Sequence, residues 1–204
     1  INAIAMSHSG KLTDVYNGYN DIIKKKIKHI GKAKIKFHDD PSLIIKAFAL
    51  VSELDYNFDK KTRIEINRRR KYLIRYDSDC YIEDLIKIFN GPYAKKAILL
   101  MNKTNIDMVI PVLKKVIRLL GRHYKKVNFQ EMLLMAFLLN GVIDKRFEEY
   151  VDDHTKFIKL FNVASQYKKG NYDNITLFNY GLEICLEANR INNILRRCEI
   201  RPRK

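Results

Sequence analysis

The sequence predicts a mainly α protein: a short β-hairpin stub followed by an all-helical array. Three observations carry that expectation. Ile1 to Met6 and Lys11 to Tyr16 read as two short strands joined by Ser7-His8-Ser9-Gly10, where Gly10 supplies the positive φ of a tight hairpin turn. From Asp40 onward the apolar residues recur at helical spacing. Gly, Pro and Asn then break the pattern at intervals that suit short packed helices. With 204 residues, 47% of them hydrophobic, the chain can bury a substantial core in one or two compact units.

After the hairpin no further strand is expected. Leu43, Ala47, Leu50, Val51 and Leu54 fall on one face of a helix, with Asp39 or Asp40 as N-cap and Pro41 in its first turn. A second helix runs from about Lys60 to Ile74 behind the cap Asp59, and a third from about Ser78 to Phe89. Asn90-Gly91-Pro92 breaks the chain before a helix that reaches Met101. Further helices are expected near 106–120, 128–140, 145–150, 153–168, 174–187 and 189–198, with Gly121, Gly141 and Lys169-Gly170-Asn171 between them.

No apolar run approaches the roughly 20 residues that span a bilayer, and Ile1 to Met6 lacks the flanks of a signal peptide, so the expectation is no membrane and a cytoplasmic protein. Cys80, Cys185 and Cys198 are odd in number, far apart and outside any C-x-x-C, which speaks against a disulfide framework or a zinc site. They read as reduced, mostly packed thiols. The net charge of +16 favours a polyanionic partner through counterion release. Composition bias alone could raise Lys, but the charge is clustered. Residues 20–36 hold seven lysines against Asp21, 60–75 hold eight basic residues against Glu65, and 190–204 hold six against Glu199. Lys24, Lys25, Lys26, Arg68, Arg69, Arg70, Arg196 and Arg197 are the candidate RNA contacts, and solvated helix faces are the other reading of the same runs. Tyr16, Tyr19, Tyr72, Tyr76 and Tyr93 lie near these blocks, where they either stack on bases or sit half-buried with a wet hydroxyl.

The opening residues add a more specific signal. Ile1-Asn2-Ala3-Ile4-Ala5-Met6, then Leu12-Thr13-Asp14-Val15-Tyr16-Asn17-Gly18, then Phe37-His38-Asp39-Asp40-Pro41 and Lys46-Ala47-Phe48 stand in this order and spacing. They resemble the end of the catalytic head and the start of the neck in class II tRNA nucleotidyltransferases, the CCA-adding and poly(A) polymerase family. That family shows T-I-N-A-I-A-M, L-I-D-P-F-G-G and R-F-x-E-D-x-x-R-x-x-R-A. Leu50 to Tyr56 is similar to its R-F-x-S-E-L-G-F, and Phe89 to Ala94 to its L-x-G-P-x-A. Leu177-Phe178-Asn179-Tyr180-Gly181-Leu182-Glu183 is similar to the L-F-x-x-G-L-E of the bacterial CCA-adding branch. The resemblance implies that 1–38 close the head, 39–120 form a neck for nucleotide selection and RNA contact, and 121–204 form a helical body.

It also implies an activity: transfer of CMP and AMP from CTP and ATP to the 3′ end of tRNA, with Mg²⁺ held by a D-x-D that belongs upstream of Ile1. Two-metal phosphoryl transfer needs such carboxylates. No catalytic residue and no metal ligand is assigned within the chain, and the segment by itself is expected to be inert. Asp152-Asp153-His154 and His38-Asp39-Asp40, the acid-histidine clusters, read as helix starts whose carboxylates accept backbone N–H bonds. The resemblance makes Asp39, Asp40 and Lys46 the nucleotide-binding residues: Asp40 keeps the acceptor of E-D-x-x-R, while Lys46 replaces an Arg with a charge that has no planar fork. Leu43, Ala49 and Cys80 stand where the family pattern has Arg. Those departures leave open a non-catalytic RNA-binding scaffold or ribonucleoprotein subunit, and a poly(A) polymerase relative. Oligomeric state is open.

Overall fold

A computed structural model describes residues 4–171 and 173–199, the last two without their side chains. It divides into two compact units, 1–109 and 110–204. As expected, the described chain is mainly α with a hairpin at its start.

Unit 1 opens with β1 (Ala5–Met6) paired antiparallel to β2 (Leu12–Thr13) around Gly10 at φ +79°. The strands are shorter than the expected ones; Ile1 to Ala3 lie outside the described residues, and the second strand ends because Asp14 turns the chain. The Asp14 carboxylate accepts from the backbone N–H of Gly18 (2.7 Å) and Tyr19 (2.9 Å), opening α1 (Gly18–Ile23). Asn17, at a glycine position of the motif it resembles, takes φ 60°, a conformation Asn tolerates better than most residues. Strands do not stop here. β3 (Lys26–Ile27) pairs in parallel with β4 (Asn57–Phe58), so the expectation of a single hairpin is corrected. Each strand has two residues, too few for alternation to show, and only Ile27 is buried deeply.

α2 (Ala33–Asp39) leads into α3 (Ser42–Leu54), which packs against α5 (Ile82–Asn90) and α6 (Ala94–Lys103), while α2 packs on α4 (Lys60–Arg69). α3 buries Ile44, Ile45, Ala47, Phe48, Ala49, Val51 and Ser52; Leu43 and Leu50 are half-buried and Leu54 exposed, so the buried stripe is rotated from the expected one. The helix is apolar on most of its circumference, and periodicity could not choose the face. Asp59 caps α4 as expected, accepting from Lys61 and Thr62 N–H at 3.0 Å. The helix is shorter than expected and ends in a 3₁₀ turn over 70–75. A second 3₁₀ turn, 78–80, precedes α5. Cys80 is exposed, correcting its reading as a packed thiol, whereas Cys185 in unit 2 is buried.

Between α5 and α6, Gly91 passes so close to α3 that a Cβ there would lie 2.2 Å from Ser52 Oγ and 2.8 Å from the Lys87 carbonyl. Tyr93 N–H donates to the Ser52 carbonyl (2.9 Å) and Ser52 Oγ to that of Ile88 (2.8 Å), which locks the turn to the helix.

Unit 2 replaces the expected 106–120 helix partly by a 3₁₀ turn at 111–113, where Pro111 sits at the first position, before α7 (Lys114–Arg122). A separate 3₁₀ turn at 106–108 ends unit 1. Gly121 lies inside α7 and does not end it. α8 (Phe129–Asn140), with an Asn128–Glu131 capping box, buries apolar residues on nearly every side. Its last carbonyls are met by Lys115 Nζ on Leu139 (2.7 Å) and Lys168 Nζ on Leu138 (2.8 Å). α9 (Lys145–Glu148) is short; α10 (His154–Lys168) packs against α8 and α12 (Leu182–Glu199). α11 (Asn174–Tyr180) stops at Gly181, φ +79°, so the break expected near 188 falls seven residues earlier and α12 is one long helix. No helix among the described residues is long and apolar enough to cross a membrane.

Candidate functional site

The residues singled out at the head-to-neck motif meet at the α2–α3 junction. Asp40 follows α2 directly, and its Oδ1 accepts from the N–H (3.1 Å) and the hydroxyl of Ser42, so the carboxylate fixes the turn that starts α3. Asp39 is the exposed last residue of α2, not a helix start. Its carboxylate lies 3.2 Å from His38 Nδ1, and its carbonyl accepts from the Tyr76 hydroxyl at 3.0 Å. The His38 ring meets Tyr72 edge-on at 5.1 Å. The 3₁₀ turn thereby brings Tyr72 and Tyr76 to the acidic pair. Both tyrosines were candidates from the sequence, but their link to Asp39 spans more than thirty residues and left no local signal.

Leu43 sits one turn beyond Asp40, half-buried, while Ala49 is 2% exposed and belongs to the core. Lys46 is exposed on the same helix. It contributes field at Asp84 of α5, whose carboxyl burial pushes upward, with Lys87 (3.7 Å) and Lys46 opposing the shift.

The basic blocks separate into spent and available charge. Lys24, Lys25 and Lys26 are exposed, on the turn after α1 and at the start of β3 rather than along a helix face. Lys25 takes φ 49°, and its carbonyl accepts from Asn57 N–H at 2.9 Å. On α4, Arg68 reaches Glu65 at 3.2 Å and remains exposed. Arg69 turns inward to Glu65 (3.5 Å) and the Tyr72 hydroxyl (3.2 Å), contacts that raise its pKa, Tyr72 foremost. Arg70 bonds the Asn67 carbonyl. In unit 2, Arg196 donates to the Tyr167 carbonyl at 3.2 Å, and Arg197 lines a concavity of about 330 Å³ with Lys125, Asn189 and Asn193. Lys125 and the two amides were not singled out by sequence, since they come together only when α12 packs.

Asp153 caps α10 through Lys156 N–H at 2.9 Å, as expected of a helix start. Among the described residues no three His, Cys, Asp or Glu side chains are gathered so as to hold a metal ion. The donor set for the Mg²⁺ that the resemblance implies is therefore not offered by these residues.

With a hairpin stub, a helix junction bearing two aspartates and a helical array described, comparison with known proteins finds CCA-adding enzymes similar to this chain. The CCA-adding enzyme of Lactococcus lactis subsp. cremoris (strain MG1363) is 24% identical over 202 residues, 91% of this chain and 48% of that protein. That of Bacillus cytotoxicus is 25% identical over 207 residues, 96% of this chain and 52% of its own length. The enzyme of Listeria monocytogenes serotype 4a (strain HCC23) is 33% identical over 114 residues, 56% of this chain and 29% of its own length. Among solved structures, the Bacillus stearothermophilus CCA-adding enzyme in complex with CTP shares the fold, with a TM-score of 0.69 at 22% identity over 97% of this chain and 56% of that one. No family model matches. The chain is a relative of the bacterial CCA-adding class II nucleotidyltransferases. It spans about half the length of the curated relatives it matches over most of its own length.

Proposed function

We propose that this chain is the base-selecting and RNA-contacting part of an enzyme that adds the terminal CCA to tRNA, using CTP and ATP, in the cytoplasm. The observation that carries the reading is the α2–α3 junction, where a motif matching the family in order and spacing becomes a turn built around Asp40. In this reading 1–38 close the catalytic head, 39–120 are the neck and 121–204 the body. Asp40, anchored by Ser42, presents a carboxylate acceptor to the pairing edge of the incoming base; Asp39 and Lys46 flank it with one charge of each sign. A fixed acceptor at that end of the pairing edge favours cytosine and adenine, which carry an amino group there (N4 and N6), over uracil and guanine, which carry a carbonyl oxygen (O4 and O6). Lys24 to Lys26, Arg68 and Arg197, which are exposed, hold phosphates of the tRNA, while Arg69, Arg70 and Arg196, which bond to Tyr72, the Asn67 carbonyl and the Tyr167 carbonyl, serve mainly to build the surface. Mg²⁺ would stabilise the leaving pyrophosphate, and its ligands are not among the described residues.

CCA-adding relatives over more than nine-tenths of the chain favour this reading over a scaffold or a poly(A) polymerase relative. The test is incubation of the protein, as its gene encodes it, with a tRNA transcript lacking its last three nucleotides, labelled CTP and ATP. Ordered addition of C, C and A supports the reading, whereas an A-only product or none at all refutes it.

A further inference from the structure

A second concavity lies between the 28–34 segment and α4, with a volume of about 510 Å³. Five cationic side chains line it, Lys28, Lys32, Lys34, Lys61 and Arg68, against two carboxylates, Asp59 and Glu65. Both carboxylates are already engaged: Asp59 caps α4 and Glu65 holds Arg68 and Arg69. Lys28 leans on Asp21 at 3.6 Å. Lys32, Lys34 and Lys61 are exposed and make no ion pair among the described residues. The wall includes His29, whose N–H donates to Thr62 Oγ1 at 3.1 Å and whose Nδ1 is buried with no hydrogen-bond partner. Burial, then Lys36, push the imidazole pKa down, which leaves the positive field to the lysines. Around this hollow the cations outnumber the carboxylates, so the three lysines repel one another, and a multiply charged oxyanion relieves that repulsion.

We infer that this concavity is a phosphate-binding pocket, in which Lys32, Lys34 and Lys61 take the oxygens of a phosphate-bearing ligand. The ligand's source is either a polynucleotide backbone or a free polyphosphate. The first source rests on the RNA reading above and the second does not.

The test uses the full chain and the exposed triple variant Lys32→Gln/Lys34→Gln/Lys61→Gln, with Lys11→Gln/Lys95→Gln/Lys103→Gln as a control of equal charge change at exposed sites outside the basic blocks. A tRNA transcript and inorganic tripolyphosphate are the two probes. For a backbone source, the pocket triple lowers the salt slope of tRNA binding by about two to three units, at ~0.7–0.9 per phosphate lost, while the control changes it little. For a free-phosphate source, tripolyphosphate binding disappears in the pocket triple alone and tRNA binding stays unchanged. Equal losses in both triples overturn the pocket and leave RNA binding through general charge standing. Binding of neither probe by the unaltered chain overturns the pocket and the RNA reading together.

Discussion

At the scale of single residues, four positions show what this chain keeps and what it changes relative to the pattern it resembles. Asp55 stands at a glycine of that pattern, and the reason for glycine is visible: the residue closes α3 in the left-handed region, φ 59°. Here Lys96 compensates, reaching the Asp55 carbonyl at 2.7 Å and its carboxylate at 2.9 Å. Gly91 has no such freedom. Gly91→Ala forces a methyl against Ser52 and the Lys87 backbone, and overpacking of this kind costs about 1–3 kcal/mol. A thermal melt that leaves this variant as stable as the unaltered chain would contradict the close packing. Leu43 and Ala49 both stand at arginine positions but differ in burial. Leu43→Arg adds bidentate donors one turn from Asp40, worth about 1–3 kcal/mol of base discrimination where a good pair forms. The expectation is a gain in selectivity for CTP and ATP at unchanged melting temperature. Ala49→Arg buries a guanidinium in the core and unfolds unit 1 instead. Nucleotide competition and melting curves on both variants check the contrast, and a destabilised Leu43→Arg with no gain in selectivity counts against base reading at this turn.

At the scale of elements, helix ends are where sequence and structure agree best, because a cap is a local bond between neighbours. Asp59, Asp153 and Gly141 all mark the ends expected of them. Acidic caps also set the pH response. The Asp144 carboxyl is held below its ordinary value, by the Arg146 side chain first and then its N–H, and the Asp173 carboxyl by Thr176. An acid depressed in the folded state contributes stability above its unfolded pKa and loses it as pH falls through the lower folded value. The melting temperature should therefore fall on acidification below about pH 4, and Asp144→Asn should flatten part of that fall; an unaltered pH profile would contradict the cap. Faces and breaks were less legible than ends. In α3, Leu43, Leu50 and Leu54 fit the helical template as well as Ile44, Ile45 and Phe48 do, and only packing against α5 and α6 selects the second set. Gly181 was crossed because apolar residues continue on both sides, although its φ of +79° ends α11. The β3–β4 pair is two residues long and joins segments thirty residues apart, so no local pattern announces it. At the candidate site, Asp40 was legible through its motif; its tie to Ser42 and the approach of Tyr72 and Tyr76 came from the fold.

At the scale of the whole molecule, the 39 basic side chains are not all free to meet a polyanion. Lys96 closes α3, Lys115 and Lys168 satisfy α8, Lys156 bridges Glu183 and Glu187, and Arg190 pairs with Glu131. The surplus positive charge is shared between the two units, and in unit 1 it includes Lys24 to Lys26 and the lysines around the 28–34 segment, in the same unit as the two aspartates. That distribution suits a protein that grips RNA by its phosphates while a separate turn reads a base. The central claim is that Asp40 does the reading, and Asp40→Asn tests it most directly. The amide keeps an oxygen for Ser42, so the turn survives, but it replaces a carboxylate with a group that also donates. In competition assays on a tRNA transcript lacking its 3′ CCA, with the protein as its gene encodes it, the account predicts unchanged tRNA affinity and melting temperature together with a loss of preference for CTP and ATP over UTP and GTP. Unchanged preference in a folded, tRNA-binding Asp40→Asn variant would contradict it.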